Sequence, residues 1–349
     1  MTCSSASSAF GETVTKAVPD LSPELSVVVC TYNGRLRLPG LIAALRSQQT
    51  HCRWELVIVD NNSSDHTASL IYELDELSWR TDVPLRYCFE PQQGLAFARR
   101  RAILATQSPL IGFLDDDTLP DSHWVNAVFQ FAQQHPESGA YGSSITGLYE
   151  VSPPPGFERI ACCLAIINRG EQPFQYAPNR GVLPAGAGMV IRREAWLEQV
   201  PIVPALAGVK AGNLSAKGED VETLSYIRKA WPIWHNPAMK LSHIIPKERL
   251  EKAYLKDFFW QIGLSRYPLR RLRYQRWQWP LFVGLFFISD FSKGLWYLIT
   301  LSWSAARSKE TMKVTYGTVE NCELLLYLGS LLSPFLHHRR AAMSGLPLL

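Results

Sequence analysis

The chain has 349 residues, of which 47% are hydrophobic, enough for one large α/β domain with an appendage or for two domains. A formal net charge of +4, with no interleaved basic and aromatic stripe in the first 250 residues, argues against nucleic-acid binding. The seven cysteines include no C-x-x-C pair, which argues against a disulfide scaffold or a structural zinc site and fits a reducing compartment.

The N-terminal segment, residues 1–23, is rich in Ser and Thr and lacks the basic and apolar regions of a secretory signal. We therefore expect a flexible lead-in and a cytoplasmic protein.

Residues 25–140 alternate between apolar strands and amphipathic helices. Strands are predicted at "LSVVVC", "WELVIVD", "PLRYCFEP" and "PLIGFLDDD", and each is followed by a helical pattern. Four such alternations with nearly continuous apolar strands predict an α/β fold, a Rossmann-like and mostly parallel sheet with helices on both faces. In such sheets, ligands bind beyond the carboxyl ends of the strands.

Polar residues cluster at these predicted strand ends. They are Thr31, Tyr32 and Asn33 after the first strand, Asp60 and Asn62 after the second, and Asp115, Asp116 and Asp117 after the fourth. The carboxylates of Asp115 and Asp117 can hold a divalent cation, Mn²⁺ or Mg²⁺, because these ions take oxygen ligands together with phosphate. A solvated turn is the alternative for the aspartates. Gly94 and Arg99 flank the start of the third helix, where backbone N–H groups and a guanidinium attract anions.

From about residue 140 the chain no longer alternates regularly between strands and helices. "VLPAGAGMVIRREAW" predicts a small-residue loop, a strand and a helix, and "PAMKLSHIIP" predicts a short strand. Glu219 and Asp220 open a helix after a glycine, where helix capping is the simple explanation. His243 lies near the end of the short strand, and a neutral imidazole is also a good metal ligand.

The C-terminal region, residues 251–349, begins with a basic and aromatic stretch, "RYPLRRLRYQRWQWP". The apolar run at 281–301 is long enough to span a bilayer, but Asp290 and Lys293 near its middle make insertion costly unless they pair. We favour a helix lying in the interface of a membrane with anionic lipids over a spanning helix, with a buried hairpin as the third alternative. A second run, "LLLYLGSLLSPFL", is too short to span alone.

Seven short motifs occur in the order seen in family 2 glycosyltransferases of the GT-A fold. They are "VVVCTYNG", "VIVDNNSSDHT", "EPQQGLAFARR", "FLDDDTLP", "PAGAGMVIRR", "GED" and "HIIP". The chain resembles this family over about residues 25–250, and the whole pattern is most similar to HpsE-type enzymes of hormogonium polysaccharide biosynthesis. The resemblance implies a GT-A domain over 24–250, with a nucleotide-binding half (24–140) and an acceptor half (141–250).

The resemblance also implies an inverting transfer of a sugar, with UDP-hexose as the expected donor, to a glycan or lipid-linked acceptor. Asp220 matches the catalytic base, with Glu219 beside it, and Asp115, Asp117 and His243 match the metal site. The nucleotide would contact Thr31, Tyr32, Asn33, Asp60, Asn62, Gly94, Arg99, Asp115 and Asp116. A loop between donor and acceptor matches Gly186, Ala187, Gly188 and Met189.

Three rival functions are weaker. A non-catalytic nucleotide-sugar or glycan-binding module at the membrane would be expected to lack a strand-end aspartate or the base. A sugar nucleotidyltransferase would need a Gly-rich phosphate loop after the first strand, and "CTYNGRLRLPG" does not resemble one. A dehydrogenase would need G-x-G-x-x-G there. The chain also lacks the Q-x-x-R-W motif of processive relatives, so we expect one sugar to be added per encounter.

Overall fold

A computed structural model describes residues 22–77, 79–177, 181–206, 208, 217–307 and 318–344. The lead-in expected at 1–23 lies outside the described residues up to position 21. The described strands are β1 (Leu25–Thr31), β2 (Trp54–Asp60), β3 (Leu85–Phe89), β4 (Leu110–Asp115), β5 (Thr118–Pro120), β6 (Ala140–Tyr149), β7 (Phe174–Gln175), β8 (Met189–Arg192) and β9 (Ile233–Ile245). The helices are α1 (Leu38–Arg46), α2 (Thr67–Leu77), α3 (Leu95–Ala105), α4 (Trp124–Gln134), α5 (Arg193–Gln199), α6 (Glu219–Ile227), α7 (Lys247–Leu250), α8 (Lys252–Arg271), α9 (Trp279–Arg307) and α10 (Thr318–Ser344).

The first half follows the predicted alternation of strands and helices. Strands β1, β2, β3 and β4 pair in parallel, in the spatial order β3-β2-β1-β4. The register places Thr31 opposite Asp60 and Cys30 opposite Asp115, so the polar ends of these strands share one edge of the sheet. This shared edge is what the strand-end argument required.

The second half adds antiparallel strands, so the nine-stranded sheet is mixed. Strand β8 runs antiparallel between β4 and β6, and β9 pairs in parallel with β6 but antiparallel with β5 and β7. The predicted short strand before His243 is therefore the end of a 13-residue strand that serves three neighbours. Pairing of Thr118 with His243 brings this histidine beside the aspartates that follow β4.

Two apolar layers hold the sheet between helices. Val27 and Val29 of β1 pack on the face covered by α1, α2 and α4, whereas Val28 packs on the face covered by α3, α5 and α6. All three valines are fully buried, as expected for a strand covered on both sides. The α/β class and the helices on both faces are thus confirmed.

The C-terminal helices form a bundle in which α10 packs against α8 and α9. The segment Trp279–Trp303 of α9 is, within the described residues, the one helix long and apolar enough to cross a membrane. Asp290 is only 2% exposed and pairs with Arg270 and Ser330 rather than with Lys293, whose ammonium lies 5.6 Å from the ring centre of Tyr327. The second apolar run belongs to the 27-residue helix α10.

Candidate active site

A cleft of about 330 Å³ opens at the carboxyl ends of β1, β2 and β4. This volume lies within the roughly 300–1,000 Å³ that is usual for small-molecule sites. Six of the residues predicted from the sequence line it: Thr31, Tyr32, Gly94, Asp115, Asp116 and Asp117. Arg37, Asn61 and Arg249, which the sequence analysis did not select, line it as well.

Asp116 is fully engaged by protein donors. Arg37 donates to both of its carboxylate oxygens at 2.8 Å, and the Thr31 hydroxyl donates to Oδ2 at 2.6 Å. Gly34 approaches this pair so closely that a Cβ there would lie 1.9 Å from Thr31 Oγ1. This geometry makes Asp116 a clamp between the turn after β1 and the end of β4, and because Asp116 also lines the cleft, its contact with the nucleotide stays a prediction.

Asp60 is buried and faces the same edge of the sheet. Its Oδ1 accepts the Ser63 N–H at 2.9 Å, and its Oδ2 accepts the Tyr87 hydroxyl at 3.0 Å. Burial, followed by the charge of Asp60, raises the pKa of Tyr87 well above its usual value, so its hydroxyl stays a donor at neutral pH. The carboxylate keeps lone pairs for a further donor, because each oxygen can accept more than one bond.

Asn33 and Asn62, the other predicted strand-end contacts, shape turns. Both have positive φ, 50° and 65°, a conformation in which Asn is the most tolerant residue after Gly. Asn33 Oδ1 accepts the Ser64 N–H at 2.8 Å, which ties the turn after β1 to the turn after β2. Neither asparagine is among the residues that line the cleft.

Gly94 begins α3 with φ 138°, a value that favours glycine. Its N–H donates to Asn61 Oδ1 at 2.8 Å, and the Asn61 amide donates to the Gln92 carbonyl at 2.8 Å. The buried Asn61 therefore fixes the loop that leads to this helix start, where unpaired N–H groups favour an anion.

Asp117 and His243 lie beside each other, next to Arg249. His243 Nδ1 is 3.0 Å from the Leu164 carbonyl, which requires a proton on Nδ1 and, in the neutral ring, directs the Nε2 lone pair elsewhere. Nε2 lies 3.3 Å from Asp117 Oδ1 and 3.3 Å from Arg249 Nη1, and Arg249 Nη2 pairs with Asp117 Oδ2 at 2.9 Å. Burial acts to raise the pKa of Asp117, but the contact with His243 and the charge of Arg249 outweigh it and hold that pKa at about 2.

These two side chains fit a divalent cation. Asp117 Oδ1 and His243 Nε2, 3.3 Å apart, are both atom types that bind divalent cations, and the Arg249 guanidinium beside them shows that this place accommodates a positive charge. The carbonyl behind His243 is the kind of outer partner that orients ligating histidines. Within the described ranges, no group of three or more His, Cys, Asp or Glu is arranged to hold a metal. Phosphate oxygens of a ligand would therefore complete the coordination, as is usual for Mg²⁺.

Arg99 is buried between the two acidic parts of the site. Its Nη1 lies 3.1 Å from Glu219 Oε1, and its Nη2 lies 3.8 Å from Asp115 Oδ1. Burial, and then the charge of Asp220, raises the pKa of Glu219 to about 7, and burial also raises the pKa of Asp115. These partners make Arg99 a link between β4 and α6, and its direct contact with the nucleotide stays a prediction.

Asp220 is half-buried and is held by backbone groups. Its Oδ2 accepts the Gly186 N–H at 2.9 Å and its Oδ1 accepts the Val221 N–H at 2.8 Å. Among the described residues, no ion pair engages this carboxylate. Such a carboxylate is fixed in place yet remains able to accept a proton, which is the requirement for a general base.

The predicted loop at 186–189 lies between the acids and the sheet. A Cβ on Gly186 would lie 2.5 Å from Arg99 Nη2, so only glycine lets the loop approach the guanidinium. Gly188 has φ 68°, while Ala187 and Met189 are buried. The loop therefore follows a fixed path past Asp220.

The residues that the sequence analysis missed carried weak signals. Arg37 stands in "GRLRLPG" and Arg249 in "PKERL", where exposed basic residues are ordinary. Their distances along the chain from the aspartates, 79 residues for Arg37, hide the pairing. Asn61 stands between Asp60 and Asn62 in the turn after β2, and its burial distinguishes it from Asn62.

Comparison with known proteins gives three findings. Residues 26–196 match the family described as Glycosyl transferase family 2. A 63-residue segment is 41% identical to the succinoglycan biosynthesis protein ExoU of Rhizobium meliloti, covering 18% of each chain. A 95-residue segment is 30% identical to TuaG of Bacillus subtilis, assigned as a teichuronic acid biosynthesis glycosyltransferase, covering 27% of this chain and 36% of TuaG. The matches thus span a minor part of these relatives.

The fold is shared with a solved structure. The mannosyltransferase PcManGT from Pyrobaculum calidifontis, in complex with GDP-Man and Mn²⁺, superposes with a TM-score of 0.57 at 17% identity, covering 91% of this chain and 88% of that one. This likeness confirms the GT-A type of fold predicted from the motifs. The family match over residues 26–196, just under half of the chain, and the shared fold both agree with the resemblance to family 2 glycosyltransferases.

Proposed function

We propose that the protein is an inverting glycosyltransferase that moves a sugar from a nucleotide sugar, with UDP-hexose as the expected donor, to a hydroxyl of a glycan or lipid-linked acceptor. The observation that carries the proposal is the pair of acidic sites joined by Arg99: the aspartates after β4 and Asp220 at the start of α6. The polysaccharide names of ExoU and TuaG support a role in cell-surface polysaccharide synthesis, as does the resemblance to HpsE-type enzymes.

The nucleotide is assigned to the cleft over β1, β2 and β4. Thr31, Tyr32 and Gly94 line this cleft, and the buried Asp60 lies at the same sheet edge. The start of α3 offers N–H groups to the diphosphate. These contacts favour a nucleoside diphosphate over an uncharged ligand.

Asp115, Asp117 and His243 would hold a divalent cation, Mn²⁺ or Mg²⁺. PcManGT, which shares the fold, was solved with Mn²⁺, which supports this assignment. A bound cation supplies Lewis-acid stabilisation of the negative charge that develops on the leaving diphosphate.

Asp220 is assigned as the general base. The acceptor hydroxyl attacks the anomeric carbon on the face opposite the diphosphate, its proton passes to Asp220, and the bond between the anomeric carbon and the phosphate oxygen breaks. Glu219 serves this role less well, because it is buried against Arg99, whereas Asp220 is fixed by backbone donors alone among the described residues. General-base catalysis of this kind contributes typically about 10²- to 10⁴-fold.

We assign residues 24–250 to the transferase domain and residues 251–349 to a region on the cytoplasmic membrane surface. The outer face of α9 exposes large apolar side chains along its length, such as Leu281, Trp296 and Trp303, each about two-thirds exposed. Its inner face is held to the bundle through Asp290 and Arg270. A helix that is apolar on one side and tied down on the other supports an in-plane contact over a spanning one.

The test is a thermal-shift series of the full chain with UDP, GDP or other nucleoside diphosphates, each with Mn²⁺, Mg²⁺ or chelator. Stabilisation by one nucleotide in the presence of metal, lost with chelator, is expected, at about 2.7 kcal/mol when the ligand is at 100 times its Kd. Product analysis then separates the rivals: a transferase releases nucleoside diphosphate, a nucleotidyltransferase releases pyrophosphate, and a binding module releases neither. No shift with any nucleotide would refute the proposal.

A further inference from the structure

Three arginines face one another where the transferase domain meets the helical bundle. Arg266 and Arg270 lie four residues apart on α8, and Arg273 follows three residues later, so all three lie along one side of the helix and its end. Burial lowers the pKa of Arg273, and the nearby charges of Arg228, Arg270 and Arg266 lower it further. We call Arg266, Arg270 and Arg273 the arginine cluster.

The carboxylates near the arginine cluster do not neutralise its positive charge. Asp290 bonds Arg270 through both carboxylate oxygens, at 2.5 and 2.9 Å, and lies 3.6 Å from Arg266 Nη1. Arg273 donates to the Gly181 carbonyl at 3.2 Å. Over the residues that the structure describes, Asp290 therefore pairs with Arg266 and Arg270, and Arg273 bonds a backbone carbonyl in place of a carboxylate.

Two buried nitrogens of the cluster also lack a hydrogen-bond acceptor. They are Arg266 Nη1 and Arg273 Nε, judged against the described part of the chain. A buried charged donor without an acceptor is costly, so proteins usually satisfy it with a ligand or water. Guanidinium groups match phosphate oxygens in geometry and charge, which makes a phosphate group the fitting ligand.

The surroundings of the cluster are apolar. The Arg270 guanidinium lies 4.3 Å from the ring centre of Phe286, and a small cavity beside it is lined by Trp279, Val283 and Leu331, among others. The exposed apolar face of α9 continues from there. A ligand that satisfies both features carries a phosphate and a long apolar chain.

We propose that the arginine cluster binds the phosphate of a membrane lipid whose apolar chain lies against α9. The phosphate belongs either to an anionic phospholipid or to a lipid carrier that bears the acceptor sugar. The helix that carries the cluster also contacts the turn before α6: a Cβ on Gly218 would lie 2.8 Å from Leu269 Cδ1 on α8. This inference rests on the proposed membrane contact of α9 and does not depend on the transfer reaction.

The test is co-sedimentation of the full chain with vesicles of phosphatidylcholine alone, with added phosphatidylglycerol, or with a trace of polyprenyl phosphate. Arg273→Gln and Arg266→Gln are compared with Arg276→Gln, which removes the same charge from an exposed position outside the cluster. Each cluster variant should bind anionic vesicles roughly fivefold more weakly than wild type, a loss larger than that of Arg276→Gln. Arg273→Lys, which keeps the charge, should recover part of the binding.

The outcomes separate the two lipid sources. Stronger binding to phosphatidylglycerol vesicles that depends on the cluster identifies a phospholipid headgroup. Stronger binding only with polyprenyl phosphate identifies a lipid carrier. Equal losses in Arg273→Gln and Arg276→Gln, with melting temperatures like that of wild type, overturn the inference. If Arg273→Gln does not fold, Arg266→Gln decides.

Different experimental results would refute the lipid site and the proposed transferase function. A wild-type chain that ignores all vesicles but is stabilised by metal and nucleotide refutes the lipid site and leaves the transferase proposal standing. A chain that binds anionic vesicles through the cluster but is never stabilised by a nucleotide supports the lipid site and refutes the transferase proposal.

Discussion

The two acidic parts of the site differ in how their charges are balanced. Each aspartate after β4 has a cationic partner of its own: Arg99 for Asp115, Arg37 for Asp116, and Arg249 for Asp117. At the start of α6, Glu219 shares Arg99 with Asp115, while Asp220 accepts only backbone N–H groups among the described residues. This difference supports the proposal that the end of β4 holds a cation and that Asp220 is the general base.

Arg99 makes the two parts depend on each other. Its guanidinium is 3% exposed and touches Glu219 on one side and Asp115 on the other. A shift of Asp115 toward a bound cation would therefore move Arg99 and change its contact with Glu219, which is next to the proposed base Asp220. Substitutions on either side of Arg99 therefore separate the roles of the two parts.

Asp220→Asn should reduce sugar transfer by about 10²- to 10⁴-fold, because the amide cannot accept the proton of the acceptor hydroxyl. The amide keeps the size of the side chain, so the melting temperature and the metal-dependent stabilisation by nucleotide should remain close to wild type. Release of nucleoside diphosphate measures the activity. Glu194→Gln, an exposed carboxylate on α5, is the matched control. Turnover like that of wild type would remove Asp220 as the base.

The buried Glu219 should make stability depend on pH. Its pKa is raised from 4.5 to about 7, so between these values the folded state binds a proton that the unfolded state has released. Stability is therefore expected to fall as pH rises from about 4.5 to about 7, by at most roughly 3 kcal/mol, and to level off above. Urea unfolding across this range measures the slope.

Glu219→Gln tests the source of that slope. The glutamine does not titrate, so the variant should lose the part of the pH dependence that Glu219 contributes. Glu194→Gln should keep it. An unchanged slope in Glu219→Gln would assign the titration to another group.

Much of the fold could be predicted from the sequence because residue patterns within each segment determine which strands and helices form. Continuous apolar strands such as β2, buried at all seven positions, predict a parallel sheet covered on both faces. The same periodicity could not predict that β8 enters antiparallel between β4 and β6, because strand order is set by packing between distant segments. For the same reason the strand before His243 was predicted short.

The site was predictable in position but not in detail. The rule for parallel sheets locates the aspartates at the edge where ligands bind. It does not reveal that Asp116 points to Arg37, because adjacent residues leave a strand end in different directions. The pairing of Asp290 with Arg270, 20 residues away, was likewise missed in favour of the nearer Lys293. Local spacing predicts elements better than it predicts which charges meet.

Asp117→Asn should weaken nucleotide binding in the presence of metal and leave metal-free binding nearly unchanged. Removing a direct ligand is expected to cost at least the roughly 10- to 100-fold that changes in outer partners cost. Calorimetric titration with the nucleoside diphosphate, with Mn²⁺ and with chelator, measures both affinities. His243→Gln should act in the same direction, since it replaces the imidazole nitrogen that faces Asp117. Variants whose affinity rises with Mn²⁺ and falls with chelator to the same extent as that of wild type would contradict the cation site.

Asp116→Asn should instead lower the free energy of unfolding and preserve the dependence of nucleotide binding on metal. It weakens the bonds from Arg37 and Thr31, at a cost of about 1–3 kcal/mol for groups left without full partners. The lower part of that range is expected because the Arg37 side chain is 43% exposed, so water replaces part of the interaction. Asp82→Asn, which breaks an ion pair whose carboxylate is 65% exposed, should cost under about 1 kcal/mol in the same urea titration. If Asp116→Asn abolished metal-dependent binding without loss of stability, the three aspartates would act as one cation site, and the division of roles after β4 would be wrong.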